Sequence, residues 1–219
     1  MIDAYDNLTA RLRAAGDYLW PLALRAILFW EFWTAGTGKL RGTNWFGDIP
    51  WADWQKGFPW PFSALPTEIN WLAATWGELV FSMLLLLGLF TRFAALSLIV
   101  VTGVAAAAVH WPARWDTFAT LWQGYVITAD DAGNYKLPLL FVVMLLPLVF
   151  NGGGRLSLDH LLLMLSGRDS GVTDRFGDGI AAALLFAVLG VVTIFVEPAW
   201  GIACFVIALL VGLTPSFRR

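Results

Sequence analysis

Three ionisable side chains sit inside apolar stretches of this 219-residue sequence: Arg25, Glu31 and Glu78. A formal charge at bilayer depth is costly, so such groups turn toward protein and find partners there. At about 1.5 Å of rise per residue, counted from the inner ends of two antiparallel helices, Glu31 and Glu78 fall at one level, with Arg25 about 9 Å below Glu31. The long arginine side chain could then reach either acid. Two carboxylates sharing one guanidinium would form a proton-coupled site, and Glu31, Glu78 and Arg25 are the candidate catalytic residues. The alternative is structural: Arg25 and Glu78 cross-link the first two helices while Glu31 bonds to backbone or water.

A second set lies at the outer ends of the apolar runs. Lys39, His110 and Lys136 flank a tryptophan-rich connection, and with Trp76 they form the candidate substrate-binding set. Cations beside aromatic rings at headgroup level suit a quinone head or an anionic small molecule. Ordinary snorkelling of lysines to the interface is the competing explanation, above all for Lys136. His110 and His160 fall on opposite sides of a hydrocarbon core about 30 Å thick, which disfavours a haem or a shared metal, and no metal site is expected. The single cysteine, Cys204, excludes an internal disulfide, a redox pair and a thiolate zinc site. Gly152, Gly153 and Gly154 follow no strand, so a phosphate loop is not expected.

The elements that must position these groups follow from composition. The chain is 58% hydrophobic and 14% charged, against roughly 45–50% and 25% for soluble domains. An all-α integral membrane protein is expected. Fourteen basic and 16 acidic residues give a net charge of -2, which offers no field for nucleic acid. Apolar runs at 19–38, 69–90, 93–111 and 134–150 predict a four-helix bundle core within residues 1–163. A C-terminal hairpin over 180–214, transmembrane or re-entrant, brings the total to about six membrane helices. The tryptophan-rich insertion at 42–66 is expected to lie in the outer headgroup layer. Residues 156–166 read as an inner interfacial helix with Ser157 as N-cap, and 167–179 as a polar tether. Arg11, Arg13, Arg92, Arg155, Arg168, Arg175, Arg218 and Arg219 outnumber Lys39, Arg41, Lys56, Arg114 and Lys136 on the opposite side. That bias places both termini in the cytoplasm.

The order of Arg25, Gly38-Lys39, Trp76-Gly77-Glu78-Leu79-Val80, Gly88-Leu89-Phe90-Thr91-Arg92 and Gly153-Gly154-Arg155-Leu156-Ser157-Leu158-Asp159 resembles the DoxX family of small bacterial and archaeal membrane proteins. The resemblance covers about 19–163. It implies a four-helix core and a redox-linked role: relatives are associated with quinone-dependent thiosulfate oxidation, with thiol and oxidative-stress complexes, or with gene clusters for metal-binding peptides. The 42–66 insertion and the loop at 111–131 look like the last group. The hydrophobic pair after Gly179 exceeds the family core, and no cofactor-binding motif is evident. Two readings follow. One is a redox-associated subunit, such as a quinone-linked oxidoreductase component, whose partners are the bilayer, a quinone, and a partner subunit or second copy. The other is a non-catalytic scaffold for a soluble or secreted partner such as a metal-binding peptide system.

Overall fold

The computed structural model describes residues 2–48, 52–112, 114–125, 133–167 and 178–213. Its helices in chain order are α1 (Ile2–Arg41), α2 (Thr67–Leu87), α3 (Thr91–Ala105), α4 (Phe118–Gln123), α5 (Lys136–Asn151), α6 (Leu158–Leu165), α7 (Asp178–Thr193) and α8 (Pro198–Leu213). Short 3-10 helices at Ala52–Gly57 and Phe62–Ala64 break the tryptophan-rich connection. A π turn over Ala106–His110 extends α3. Among the described residues there is no strand, so the expected all-α class is observed.

Among the described residues two helical segments are long and apolar enough to cross a bilayer: Thr67–Leu87, and Thr91–His110, which joins α3 to its π turn. At 21 and 20 residues each spans about 30 Å, the thickness of a hydrocarbon core. Lys136–Asn151, Ala182–Thr193 and Pro198–Leu213 are apolar but shorter. Residues 168–177 of the expected tether, with Arg168 and Arg175, lie outside the described residues, as do Trp51, Arg218 and Arg219, whereas Asp178 and Gly179 already belong to α7.

Several expected boundaries hold. α6 begins where Ser157 was expected to cap it, the Ser157 hydroxyl accepting a hydrogen bond from the His160 amide at 3.2 Å. The expected C-terminal pair is present as α7 and α8, joined by a turn at 194–197, with Pro198 opening α8. Two features differ. α1 starts at Ile2, far ahead of its apolar run, because the preceding Ala, Leu and Arg residues are good helix formers although they are not apolar enough to span. α4, unanticipated, is nucleated by a capping box in which Thr117 and Thr120 exchange hydrogen bonds between side chains and backbone.

The chain forms two compact units. Unit one comprises residues 1–41, 75–98 and 143–171; unit two comprises 42–74, 99–142 and 172–219. In unit one, α1 buries Arg25, Leu28, Phe32 and Gly36, an i, i+3, i+7, i+11 stripe along one helix face. α2 ends in a Schellman motif: the Gly88 amide bonds Leu85 O and the Leu89 amide bonds Leu84 O, with Gly88 at φ +66°. α5 ends in an αL cap, the Gly152 amide bonding Leu148 O with Gly152 at φ +80°.

Gly88 is also sterically closed. A methyl group there would lie 2.5 Å from the Ser157 Cβ and 2.8 Å from the Arg25 Cζ. Gly88→Ala therefore combines left-handed backbone strain with overpacking, and thermal unfolding in detergent should show a loss of about 2–4 kcal/mol. An unchanged melting temperature would remove this turn from the packing account.

Unit two is built around aromatic rings. Phe46 is fully buried against Trp45 and Trp71, edge to face at 5.0 and 4.9 Å. Phe58 and Phe62 meet Phe195 at 5.4 and 5.5 Å, over Val104 of α3. The insertion thus buries Phe46 and Phe58 in packed clusters and leaves Trp60 82% exposed. α7 and α8 approach closely through glycine: Gly190 faces the Phe205 ring and Gly201 faces Ile194.

Candidate functional site

Helix ends leave backbone carbonyls without intrahelical partners. In unit one the glycine caps satisfy some of these, and two arginines take others. Arg25, only 2% exposed, donates from Nε to Leu85 O at 2.7 Å and from Nη2 to Leu86 O at 2.5 Å, both in the last turn of α2. Its Nη1 donates to Gly153 O at 2.9 Å and Leu156 O at 2.7 Å, in the segment between α5 and α6. Arg92 makes the corresponding bonds at the end of α5, from Nη1 to Val149 O at 3.2 Å and Phe150 O at 2.6 Å. Asp159 accepts from the Phe90 and Thr91 amides at 2.7 and 2.8 Å, a carboxylate placed at the positive N-terminal end of α3. The Asp159 amide in turn bonds Gly88 O at 2.9 Å. Three helix ends, one connecting segment and α1 are joined by these side chains.

The expected trio of Arg25, Glu31 and Glu78 does not assemble. Glu78, 3% exposed, is gripped by Lys39, whose Nζ lies 2.6 Å from Oε1 and 2.7 Å from Oε2. The side chains of this pair are 14% and 4% exposed. The reason is register. Gly36 of α1 abuts α2 so closely that a methyl group there would come 2.9 Å from the Leu79 Cγ and 3.2 Å from the Glu78 Cβ. Gly36, not Glu31, is therefore level with Glu78. Lys39 is one turn further on, and helical side chains lean back toward the N-terminus, which carries its amine to the carboxylate. Glu31 is five residues before Gly36, about 7.5 Å along the axis, and it is exposed beside the buried stripe. Arg25 is spent on carbonyls seven and eight residues beyond Glu78, roughly 10–12 Å along α2.

The substrate-binding set also divides. Lys39 belongs to unit one, with its amine committed to Glu78. Trp76, in the same unit, is half exposed. His110 and Lys136 belong to unit two. The His110 ring bonds the Asn134 side chain through Nδ1, and the His110 carbonyl accepts from the Asn134 amide at 2.8 Å. Lys136 Nζ lies 5.2 Å from the centre of the Tyr125 ring, a cation–π contact. Among the described residues no cluster of three metal-ligating side chains occurs.

Unit two holds a feature that the sequence did not disclose. A cavity of about 780 Å³ opens among α3, α4, α5 and the α7–α8 turn, walled by Trp111, Phe118, Trp122, Tyr135 and Trp200. The π turn supplies Ala106 to its lining, and Trp111, next after that turn, supplies a ring. Tyr135 is fixed by a 2.9 Å hydrogen bond from its hydroxyl to Leu121 O of α4. Trp111 and Trp200 meet edge to face at 6.5 Å. Apart from threonine hydroxyls, the tyrosine and the indoles, the described lining is hydrocarbon.

The model of the DoxX family matches residues 20–111. An uncharacterized protein of Haemophilus influenzae is 41% identical over 152 residues, which are 69% of this chain and 89% of that relative. The chain belongs to the DoxX family. No solved structure matches.

Membership makes this DoxX protein membrane-associated, in keeping with its two long apolar helices. It also gives the motif residues a physical role in this chain. Arg25, the Gly88–Arg92 turn and the Gly153–Asp159 segment, which carry the resemblance, are the groups that close the helix ends of unit one. In this DoxX chain they bond to backbone and to one another.

Proposed function

We propose that this DoxX-family protein binds a quinone-class small molecule in the aromatic cavity of unit two, as the membrane-embedded binding subunit of a redox-associated assembly. The observation that carries the reading is the cavity itself. Its volume, about 780 Å³, falls in the range of roughly 300–1,000 Å³ typical of ligand sites. Its walls suit a flat ring with an apolar tail. Trp111, Trp122 and Trp200 offer ring faces and indole N–H donors for a head group, while Leu139, Val142, Val192 and Val196 offer the hydrocarbon side. A bound quinone supplies the electron-accepting chemistry. The residues of this chain bind the ring, orient it and keep water from it.

Among the described residues no carboxylate or amine lines the cavity, so the reading assigns binding and orientation to the residues named, and proton handling by Glu31, Glu78 and Arg25, which lie in unit one, is not carried forward. The second reading, a membrane scaffold for a soluble or secreted partner, is favoured by a different observation: the buried charges of unit one are spent on holding helices. In either case we place the chain in the bacterial inner membrane as a multi-pass protein with both termini cytoplasmic. Residues 1–163 then form the membrane core, with 180–214 as an attached hairpin. The arginine bias of the sequence supports the orientation of the termini.

Purified protein titrated with a short-tailed ubiquinone analogue should show saturable quenching of tryptophan fluorescence. Ala119→Trp, on the cavity wall at an exposed position, should fill the space and weaken binding at least about tenfold, or 1.4 kcal/mol, without lowering the melting temperature. Equal quenching in both proteins would overturn the cavity as the site. Absence of saturable quenching in the parent protein would favour the scaffold.

A further inference from the structure

We propose that a groove in unit one, at the α2–α3 turn, binds an anionic phospholipid, with the phosphate held by Arg92 and Arg155 and an acyl chain laid against Phe93 and Leu163. This site is independent of the aromatic cavity. The groove has a volume of about 930 Å³, and its lining combines the glycine segment 152–154 with basic side chains and exposed apolar ones.

The charge balance favours an anion. Among the described residues, Arg92, Arg155 and His160 line the groove with one carboxylate, Asp159. Both oxygens of that carboxylate already accept backbone amides, from Phe90 and Thr91. Arg92 is fixed by a single nitrogen, Nη1, on the carbonyls that end α5. Its Nε and Nη2 lie over Gly152, where a methyl group would come only to 3.6 and 3.9 Å. One edge of the guanidinium is therefore anchored, and the other lies above backbone that carries no side chain. Arg155 is held from the side by Tyr18, with the guanidinium 5.5 Å from the ring centre and Nη1 3.4 Å from the hydroxyl.

The apolar wall selects a lipid over a soluble anion. Phe90 and Phe93 are 64% and 61% exposed, and Leu162 and Leu163 on α6 are exposed beside them. Hydrocarbon presented next to fixed arginines matches an amphiphile whose phosphate and chains diverge at the interface, the chemistry of basic lipid sites beside membrane helices. A soluble phosphate would leave that wall in water.

Native mass spectrometry of the full chain, exchanged from detergent with phosphatidylglycerol or phosphatidylcholine, tests the assignment. Phosphatidylglycerol adducts should survive activation that strips phosphatidylcholine, and inorganic phosphate should not displace them. Arg92→Gln with Arg155→Gln should lower phosphatidylglycerol occupancy about tenfold, and Arg11→Gln should leave it unchanged. Because Arg92 also holds α5, Leu163→Asp provides a second variant: it sets a carboxylate on the exposed wall without touching those bonds, and it should lower occupancy to a similar extent. Equal retention of both lipids, a preference that survives Leu163→Asp, or displacement by inorganic phosphate would each overturn the proposal.

Discussion

Arg25→Leu is expected to cost at least about 3–5 kcal/mol, the effect of removing one member of a buried charged network. For a chain of this size that corresponds to a melting temperature lower by about 6–20 °C. The variant removes four hydrogen bonds at once, to Leu85, Leu86, Gly153 and Leu156, and leaves their carbonyls to find other donors in a buried place. Arg25→Lys should recover little. A single ammonium keeps the charge, but it cannot present donors to two segments in the fork geometry of a guanidinium. Thermal unfolding in detergent checks both variants. A lysine variant that melts with the parent would show that the charge alone matters and would remove the carbonyl account. The effect should be on stability first: at a temperature where Arg25→Lys is still folded, quinone quenching in unit two should be that of the parent.

The parts of this molecule that were legible in the sequence are those governed by local chemistry. Ser157 announces α6 because a hydroxyl at that position satisfies a free helix amide. The lengths of α2 and of α3 with its π turn follow from apolar run length, but the turn falls at 88–90, ahead of the 91–92 break between the two runs, because Gly88 at φ +66° ends α2. The partners of Arg25 were not legible, for a definite reason. Backbone carbonyls occur at every residue, and only the place where α2 ends makes those of Leu85 and Leu86 available. Counting rise from assumed membrane boundaries put Glu31 beside Glu78. The register is set instead by contact between Gly36 and α2, a close approach that no periodicity encodes. The cavity was hidden for a related reason, since it requires the π turn and α4 together with the α7–α8 turn.

The buried Lys39–Glu78 pair leads to the second large effect, and a thermodynamic cycle separates its structural role from chemistry. Glu78→Leu alone leaves the Lys39 ammonium, 14% exposed, without its counter-charge. Lys39→Met alone leaves a carboxylate that is 4% exposed. Each single variant should lose about 3–5 kcal/mol, because an uncompensated buried charge is the costly state. The double variant should recover most of that loss, since replacing a buried pair with apolar side chains of similar volume is often neutral or stabilising. Gly36 presses α1 onto this level of α2, so the replacements must stay near the parent volumes, and leucine with methionine does so. Unfolding measurements on the four proteins give the coupling between the two positions, and quinone titration of the double variant gives the functional arm. A folded double variant that binds quinone as the parent does makes the pair a helix clamp. Loss of binding in a double variant that melts with the parent would restore Glu78 to the chemistry. Additive losses in the two single variants would mean that the 2.6 Å contact contributes little to holding α1 on α2.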